Sequence, residues 1–308
     1  MTPGSDGSAS AVLALRRAVP YLRLFQGKTF VIKAGGEVFT DPALGRSLLE
    51  QVGILHRLGI RVVLVHGGGR QMTEVAQSMG VDSPFVDGRR VTDGPMRDVA
   101  TMVLNGTVNT AIVARCRELD VPALGISGVD AGLIRAVRRP PKRTASGDPV
   151  DYGYVGDIVS VDANVLRRIL EEGFVPVVSP ISADDQGEIL NINADTIASA
   201  LAGAIQAEKW IILTGAPGVL RDAADPDSLV SYTDLDGLDR LAEAGSLAGG
   251  MLPKAAAIRS AIDAGVRRVH VISYKVPDSL LLEVFTNEGS GTLVVPDVSQ
   301  MAPAEVSA

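Results

Sequence analysis

The sequence predicts an α/β protein whose open, mainly parallel sheet is covered by helices on both faces. Three observations support this prediction. Short apolar runs rich in Val and Ile recur along the chain, longer amphipathic stretches alternate with most of them, and glycine-rich turns follow two of the runs. Strands that are apolar on both faces and alternate with helices are typical of a parallel sheet buried between two helical layers.

Seven apolar runs are the predicted strands. They are Thr29–Ile32, Arg61–Val65, Val121–Ile126, Phe174–Val178, Trp210–Leu213, Arg268–Ile272 and Thr292–Val295. The amphipathic stretches between them are the predicted helices, namely Pro42–Leu58, Met96–Leu119, Val161–Glu172, Ala194–Ala207, Leu235–Ala244 and Pro253–Ala264. Ala9–Phe25 predicts a further amphipathic helix ahead of the first strand, and we expect Pro20 to kink it or to end its first half.

One segment departs from the strand–helix alternation. Leu133–Val137 and Tyr154–Val161 alternate apolar and polar residues on either side of RRPPKRTASGDPVDYG, which contains prolines, glycines and basic residues. This pattern predicts a long exposed β-hairpin. Both an ordinary surface hairpin and a flap over a ligand fit it.

Composition limits the function classes. The 308-residue chain is 46% hydrophobic and 21% charged, with a formal net charge of −7. Its length fits one large domain or two joined lobes. The acidic balance disfavours nucleic acids and anionic membranes as partners. Cys116 is the single cysteine, and we recognise no secretory signal or membrane-spanning run, so we expect a cytoplasmic protein.

Two glycine-rich turns directly follow predicted strands. KAGG at 33–36 follows the first strand, and HGGG at 66–69 follows the second. The carboxyl ends of parallel strands form the ligand crevice of an open sheet, and glycines let backbone N–H groups approach an anion. Each turn alone is as easily an ordinary strand-to-helix connection. The pair, one member of which carries a lysine, indicates an anion site.

Two further motifs open predicted helices. NINAD at 191–195 either caps its helix or directs polar side chains at a ligand. Lys254, in GGMLPK, lies near another helix start, where the helix dipole disfavours a cation. A bound phosphate would explain a lysine at that position.

The remaining candidates are weaker. Arg90 is either a carboxylate clamp or a solvated arginine, and LTGAPGVL at 213–220 is a turn that could border a nucleotide. The three histidines lack metal-ligand spacing, and there is no cysteine cluster, nucleophile elbow or obvious general base. We therefore predict no metal site built by the protein alone.

Taken in order, KAGG, HGGG, GRRVTD, NINAD, LTGAPGVL and GGMLPK resemble the motifs of the amino acid kinase family over residues 27–295. The resemblance implies a three-layer α/β/α sandwich and phosphoryl transfer from ATP, with Mg²⁺, to the side-chain carboxylate of N-acetyl-L-glutamate. It implies a lobe at 28–190 for the acyl amino acid and dimerisation, and an ATP-binding lobe at 191–308. A carboxylate with a pKa of about 4.3 is already ionised at neutral pH. This chemistry therefore needs no general base.

By position, the resemblance also implies roles for particular residues. Lys33 and Lys254 match the lysines that stabilise the transferring phosphoryl group, and Asp195 matches the aspartate that orients them. The other matches are Gly68, Gly69, Arg90 and Asn191 for the acyl amino acid, and Gly35 and Gly36 for the phosphates.

Two features resemble the arginine-inhibited branch of the family. The helix within residues 1–27 is similar to one that links dimers into a hexameric ring, a trimer of dimers. EGSGT at 288–292 resembles the arginine-site signature, in which the carboxylate of Glu288 could pair with a guanidinium. The implied L-arginine site comprises Glu288, Gly289, Gly291, Tyr21 and Lys209.

The sequence departs from the family pattern at four places. Arg70 replaces a common proline after HGGG. Glu37 stands where a small or amide residue is usual, Gly215 replaces an aspartate, and Ser273-Tyr274-Lys275 replaces a DGR-like turn. Two alternatives to the N-acetyl-L-glutamate reading therefore stay open. One is a kinase of a related acyl amino acid of the N-acetyl-aminoadipate type, and the other is a catalytically silent arginine-sensing subunit.

Overall fold

The computed structural model describes residues 5–143, 147, 149–247, 250–287 and 289–300. Its α-helices are α1 (Ser5–Phe25), α2 (Pro42–Arg57), α3 (Gly69–Ser78), α4 (Gly94–Thr101), α5 (Asn109–Glu118), α6 (Ala163–Glu171), α7 (Ala194–Ile205), α8 (Leu235–Glu243), α9 (Met251–Asp263) and α10 (Ser279–Phe285). Its strands are β1 (Thr29–Ala34), β2 (Arg61–His66), β3 (Phe85–Val86), β4 (Arg89–Arg90), β5 (Ala123–Ser127), β6 (Ile134–Arg138), β7 (Lys142–Arg143), β8 (Pro149–Val150), β9 (Gly156–Val161), β10 (Val175–Ser179), β11 (Ile181–Ala183), β12 (Ile189–Asn191), β13 (Lys209–Thr214), β14 (Tyr232–Thr233), β15 (Val269–Ser273) and β16 (Thr292–Val294).

An eight-stranded sheet organises the chain in the order β14–β16–β15–β13–β1–β2–β10–β5. The strands from β15 to β5 are parallel to one another, whereas β16 pairs antiparallel with β15 and β14 runs parallel to β16. The seven predicted strands are all in this sheet, with ends within two residues of the predicted ones. The mainly parallel sheet confirms the predicted fold class.

Helices cover both faces of this sheet. Helices α2, α4, α5 and α10 contribute to the core on one face, and α6, α7, α8 and α9 contribute to the core on the other. Along β1, Phe30 and Ile32 join the first core and Val31 joins the second. Successive side chains of a strand point to opposite faces, so a strand buried on both sides must be apolar throughout.

A second sheet, in the order β12–β11–β6–β9, carries the predicted hairpin. The expectation for Leu133–Val137 and Tyr154–Val161 is confirmed, because β6 and β9 pair antiparallel. The base of the hairpin is hydrogen-bonded to Thr92, whose N–H donates to the carbonyl of Tyr152 (2.9 Å) and whose carbonyl accepts from the N–H of Tyr154 (2.6 Å). The hairpin is thus anchored two residues after Arg90.

Some helix limits differ from the predicted ones. Helix α1 begins at Ser5 rather than Ala9, and the expectation that Pro20 ends its first half is wrong because the helix continues to Phe25. Pro20 is exposed, so water can bind the helix carbonyl that the proline leaves without a donor. The predicted helix at 96–119 is α4 and α5 joined by a π-helical segment, Met102–Val108. Within the described part of the chain, no helix has both the length and the apolar character needed to cross a membrane.

Candidate active site

The two glycine turns lie side by side at the carboxyl ends of β1 and β2. The strands are in register, with Ala34 opposite His66, and the N–H of Gly67 donates to the carbonyl of Ala34 (2.8 Å). A Cβ atom added to Gly36 would lie 2.7 Å from the Cα of Gly68. The backbones therefore approach this closely only because residue 36 is glycine. The fold brings together the two turns that the sequence singled out.

Three predicted site residues form one buried ion cluster beside these turns. Lys33 is near the end of β1, Asp195 is in the first turn of α7, and Lys254 is in the first turn of α9. The Nζ atom of Lys33 lies 2.9 Å from Oδ1 of Asp195, and the Nζ atom of Lys254 lies 3.2 Å from Oδ2. The side chains are 8%, 7% and 16% exposed, in the order Lys33, Asp195, Lys254. One carboxylate thus holds two ammonium groups near the strand ends.

Asp195 is ionised in this environment. Burial raises the pKa of its carboxyl group, but the ammonium groups of Lys33 and Lys254 outweigh burial and hold the pKa below its ordinary value. The cluster then carries a net charge of about +1, which suits an anionic ligand. The capping reading of NINAD is confirmed, since Asn193 caps α7 by accepting from the N–H of Asp195 and of Thr196.

Arg90 is a buried side chain and not a solvated arginine. Its Nη2 atom donates to the carbonyl of Gly69 and to Oγ1 of Thr73, both at 2.8 Å, and its guanidinium lies 4.5 Å from the ring centre of Phe85. Its Nη1 atom is buried, and no described residue accepts a hydrogen bond from it. A buried guanidinium with an unused donor is suited to receive a carboxylate.

Asn191 is connected to the same region through Thr92. The Nδ2 atom of Asn191 donates to Oγ1 of Thr92 at 3.2 Å, and Thr92 also anchors the β6–β9 hairpin. Asn191 follows β11 and ends β12, so the second sheet positions it. The fold places the Arg90 and Asn191 side of the candidate site next to the hairpin base.

The structure adds residues that the motif analysis did not single out. Gln71 donates from Nε2 to the carbonyl of Gly36 (2.7 Å), and Thr73 and Thr92 bind Arg90 and Asn191 respectively. Thr92 lay within the quoted GRRVTD motif, but nothing in the sequence around Gln71 or Thr73 marked them as site residues.

Three of the departures from the family pattern, Glu37, Gly215 and Tyr274, lie close together. The carboxylate of Glu37 lies against Gly35, 2.2 Å from where a Cβ would stand, and the hydroxyl of Tyr274 lies 3.2 Å from where a Cβ on Gly215 would stand. Burial and the nearby Glu37 carboxylate raise the pKa of Tyr274. Gly215 therefore leaves the space that the tyrosine hydroxyl uses.

Two of the residues expected at an arginine site, Tyr21 and Lys209, lie on helix α1 or against it. The hydroxyl of Tyr21 is hydrogen-bonded to the side chain of Asn287, and the Nζ atom of Lys209, a buried residue, lies 4.9 Å from the ring centre of Phe25. Helix α1 therefore contacts both the start of β13 and Asn287. Glu288 lies outside the described residues.

A buried pair of a glutamate and a histidine lies beside Ser290. Nδ1 of His270 lies 2.5 Å from Oε1 of Glu283, and Oε2 accepts from the N–H of Ser290 at 2.6 Å. Burial lowers the pKa of His270 to about 4. Burial raises the pKa of Glu283, but the bonds from His270 and Ser290 dominate and lower it to about 2. Gly289, with φ of +65°, allows the chain to turn here, and Gly291, where a Cβ would lie 2.2 Å from the carbonyl oxygen of Val271, allows the chain to approach β15 closely.

The buried ion cluster at the ends of parallel strands, flanked by two glycine turns, is the arrangement of a phosphate-handling α/β protein. The profile of the amino acid kinase family matches residues 28–273, and the chain belongs to that family. Within it, the chain is 46% identical over 292 residues to the acetylglutamate kinase of Myxococcus xanthus, covering 93% of this chain and 95% of that protein. It is 44% identical to the acetylglutamate kinase of Symbiobacterium thermophilum, covering 93% of this chain and 97% of that protein.

Solved structures share the fold. The N-acetylglutamate synthase from Neisseria gonorrhoeae, in complex with coenzyme A and N-acetyl-glutamate, superposes with a TM-score of 0.80 at 28% identity over 93% of this chain. The chain spans only 64% of that synthase. Carbamate kinase from Giardia lamblia bound to AMP-PNP superposes with a TM-score of 0.62 at 19% identity, covering 88% of this chain and 99% of that one.

Proposed function

We propose that this protein is an ATP-dependent kinase that phosphorylates the side-chain carboxylate of N-acetyl-L-glutamate to N-acetyl-L-glutamyl 5-phosphate, a step of arginine biosynthesis. The observation that carries the proposal is the Lys33–Asp195–Lys254 cluster next to the two glycine turns. The relatives that match nearly the whole chain at 46% and 44% identity, both acetylglutamate kinases, support the choice of substrate.

The reaction brings two anions together, and the cluster supplies the charge that makes this possible. Lys33 and Lys254 would neutralise the phosphoryl group as it moves, while Asp195 keeps both ammonium groups in place. The glycine turns, with Gly35 and Gly36 at the phosphates, would donate backbone N–H groups. Phosphoryl transfer is mostly positioning and charge stabilisation, and the acceptor carboxylate is already ionised, so no general base is required.

The acyl amino acid would bind on the Arg90 side. The buried, unused Nη1 donor of Arg90 suits its α-carboxylate, and Asn191 with the N–H groups of Gly68 and Gly69 would complete the contacts. The N-acetyl-aminoadipate alternative differs by one methylene, which a pocket discriminates by only about 1–3 kcal/mol. Direct comparison of the two substrates is therefore part of the test.

Members of a kinase family use ATP, and we propose that Mg²⁺ accompanies it. Among the described residues no cluster of three or more His, Cys, Asp or Glu side chains could hold a metal, and Asp195 is occupied by two lysines. These residues fit an ion that is held by the nucleotide phosphates. When bound, Mg²⁺ would neutralise part of the phosphate charge. Turnover that survives complete chelation of divalent ions would contradict this.

We further propose the division of labour implied by the motifs, with the acyl amino acid in 28–190 and ATP in 191–308. The ion cluster supports it, because Lys33 comes from the first part while Asp195 and Lys254 come from the second. Phosphoryl transfer would take place where the two parts meet, at the β1–β13 pairing.

The test is a coupled assay of ADP release with N-acetyl-L-glutamate, with the acyl phosphate trapped by hydroxylamine. We expect Lys33→Ala and Lys254→Ala each to lower kcat at least about tenfold, with smaller changes in KM for the acyl amino acid. Lys28→Ala is the matched control, because Lys28 is an exposed lysine next to β1 that pairs with Glu208. Near wild-type turnover in both site variants would refute the assignment, and no turnover in the wild-type protein would favour the silent sensor.

We also propose that L-arginine inhibits the enzyme and that α1 joins dimers into a hexamer. The support is the contact of α1 with Asn287 and the exposure of its apolar side chains, Val12, Leu13, Leu15 and Leu24. Such a surface favours burial against a second copy of the chain. A chain starting at Gly27 should form dimers and lose its response to arginine. A truncated protein that stays hexameric would refute the assembly role, and arginine-insensitive wild-type kinase would refute the inhibition.

A further inference from the structure

A buried histidine–asparagine pair lies directly behind the second glycine turn. His66 is fully buried and Asn109 is 6% exposed. The Nε2 atom of His66 lies 3.1 Å from Nδ2 of Asn109, and its Nδ1 atom lies 3.0 Å from the carbonyl oxygen of Gly67. The phosphoryl-transfer cluster does not involve either residue. Burying polar side chains costs free energy of folding unless their hydrogen-bonding groups are fully paired. The burial of His66 and Asn109 therefore calls for a specific role.

The protonation of His66 follows from its neighbours. The Nδ2 atom of Asn109 also lies 2.9 Å from the carbonyl oxygen of Val177, which can only accept. This contact identifies the NH₂ end of the amide, so its second hydrogen points at Nε2 of His66, which must accept. The imidazole proton therefore stands on Nδ1 and is donated to the carbonyl of Gly67. Burial lowers the pKa of His66 to about 4, so the ring stays neutral near pH 7.

The carbonyl of Gly67 and the N–H of Gly68 belong to the same planar trans peptide and point in opposite directions. A carbonyl held by His66 therefore aims the N–H of Gly68 away from the histidine. That nitrogen is 2.9 Å from where a Cβ on Gly36 would stand. Among the described residues no group accepts a hydrogen bond from this N–H. Because glycines flank the peptide, its rotation meets little steric resistance, and the histidine bond fixes one orientation.

The helical segment that leads to Asn109 packs against the same glycine turn. The π-helical segment Met102–Val108 ends immediately before Asn109. Within it, Leu104 lies so close to Gly68 that a Cβ there would be 2.6 Å from its Cδ2 atom, and Val108 would be 3.6 Å away. A π-helical turn inside an α-helix is frequent at functional sites because it redirects side chains. Here it accompanies side chains that pack on the Gly68 backbone.

We propose that Asn109 and His66 are positioning residues that fix the Gly67–Gly68 peptide so that the Gly68 N–H faces the reacting groups. The chain of contacts runs from the Val177 carbonyl through the amide and the imidazole to that peptide. This proposal rests on the kinase function proposed above, in which Gly68 is a backbone donor to the acyl amino acid. It adds two residues that touch neither substrate.

Two substitutions at position 66 separate positioning from simple filling of space. In His66→Asn the amide nitrogen occupies the place of Nδ1 and can donate to Gly67, whereas in His66→Gln the amide reaches the place of Nε2 and keeps only the contact to Asn109. We expect the Gln variant to lose about 100-fold in kcat/KM for N-acetyl-L-glutamate and the Asn variant to lose less than about tenfold. The KM for MgATP should change less than about threefold in both.

Asn109→Asp supplies a second, isosteric test. It replaces the donor facing Nε2 by an acceptor, so the imidazole proton moves to Nε2 or the ring becomes charged, and we expect the kinetic defect of His66→Gln. Ile112→Val, a conservative change on the same helix at a residue that is 2% exposed, is the control and should keep wild-type kinetics. Hydrogen exchange of the peptide spanning residues 66–72 gives a readout without turnover, and it should accelerate in His66→Gln more than in His66→Asn.

If His66→Gln is as active as, or more active than, His66→Asn, the orientation of the peptide is not what the histidine provides and the proposal is wrong. Equal acceleration of exchange in both variants would also overturn it. Lack of turnover in the wild-type protein would instead count against the kinase function. The order of the exchange rates in the two variants would still decide whether His66 holds the turn.

Discussion

Asp195 is the shared partner of two buried lysines, and its replacement should cost more stability than loss of either lysine. In Asp195→Asn the ammonium groups of Lys33 and Lys254 stay 8% and 16% exposed without the carboxylate that held them at 2.9 and 3.2 Å. Two unit charges about 5 Å apart repel by about 3 kcal/mol at an effective dielectric constant of 20. Breaking a buried pair from one side costs about 3–5 kcal/mol. We therefore expect a loss of about 3–5 kcal/mol in the free energy of unfolding.

Lys33→Met should behave differently, because Asp195 keeps Lys254 as its partner and one buried charge disappears. We expect this variant to lose less than about 2 kcal/mol in stability, although its turnover falls strongly. The assay is urea unfolding followed by circular dichroism in phosphate-free buffer, repeated with a non-hydrolysable ATP analogue and Mg²⁺. The analogue should stabilise Asp195→Asn more than it stabilises the wild-type protein, because its phosphates supply the missing negative charge.

Asp185→Asn is the matched control, since Asp185 is an exposed aspartate whose pair with Arg135 is screened by solvent and should contribute little to stability. If Asp195→Asn unfolds at the wild-type urea midpoint, or if Lys33→Met loses as much stability, then the cluster is not held by a shared carboxylate.

Three more outcomes are expected. Arg90→Ala should raise KM for the acyl amino acid at least about tenfold with a smaller change in kcat, and initial rates over a range of substrate concentrations test this. Gly68→Ala places a methyl group 2.6 Å from Leu104, so we expect lower thermal stability together with lost activity, and calorimetry beside the kinase assay would show both. Burial lowers the pKa values of His66 and His270 to about 4, so each residue should cost about 2 kcal/mol of stability as the pH falls from 7 to 5, because the unfolded chain takes up the proton first. Between pH 7 and pH 5 the urea midpoint should therefore fall by less in His66→Asn than in the wild-type protein. An equal fall in both proteins would contradict this.

Elements of the central sheet were predictable because they are buried on both faces. A strand such as β1 has Phe30, Val31 and Ile32 in succession, and few elements other than a strand buried on both faces need three consecutive apolar residues. The glycines that follow marked the end of the strand. Strands β3, β11, β12 and β14 have two or three residues each and are held by tertiary pairing, so no local pattern marks them. The seven-residue helix α10 was missed because it is too short to show a clear period.

Some residues of the candidate site were likewise predictable from the sequence, and others were not. Lys33 stood out because it begins a glycine turn directly after a predicted strand, and Lys254 because a lysine is out of place at a helix start. The burial of Arg90 was not predictable, since it depends on Phe85 and Thr73 reaching it from other elements. Asn109 reads as an ordinary polar residue on a helix, and only the fold shows that it faces His66.

The pairing of β1 with β13 decides how the two parts of the chain depend on each other. Residues Phe30 to Ala34 are matched one for one with Lys209 to Leu213, and cores on both faces of the sheet cross this line. Cutting the polypeptide near residue 190 would therefore leave two fragments. Each would have an unpaired strand edge and would expose apolar surface that is buried in the intact protein. Neither fragment should fold stably by itself, whereas the two fragments should associate and fold together when they are co-expressed. The kinase would then be recoverable from two genes but not from either one.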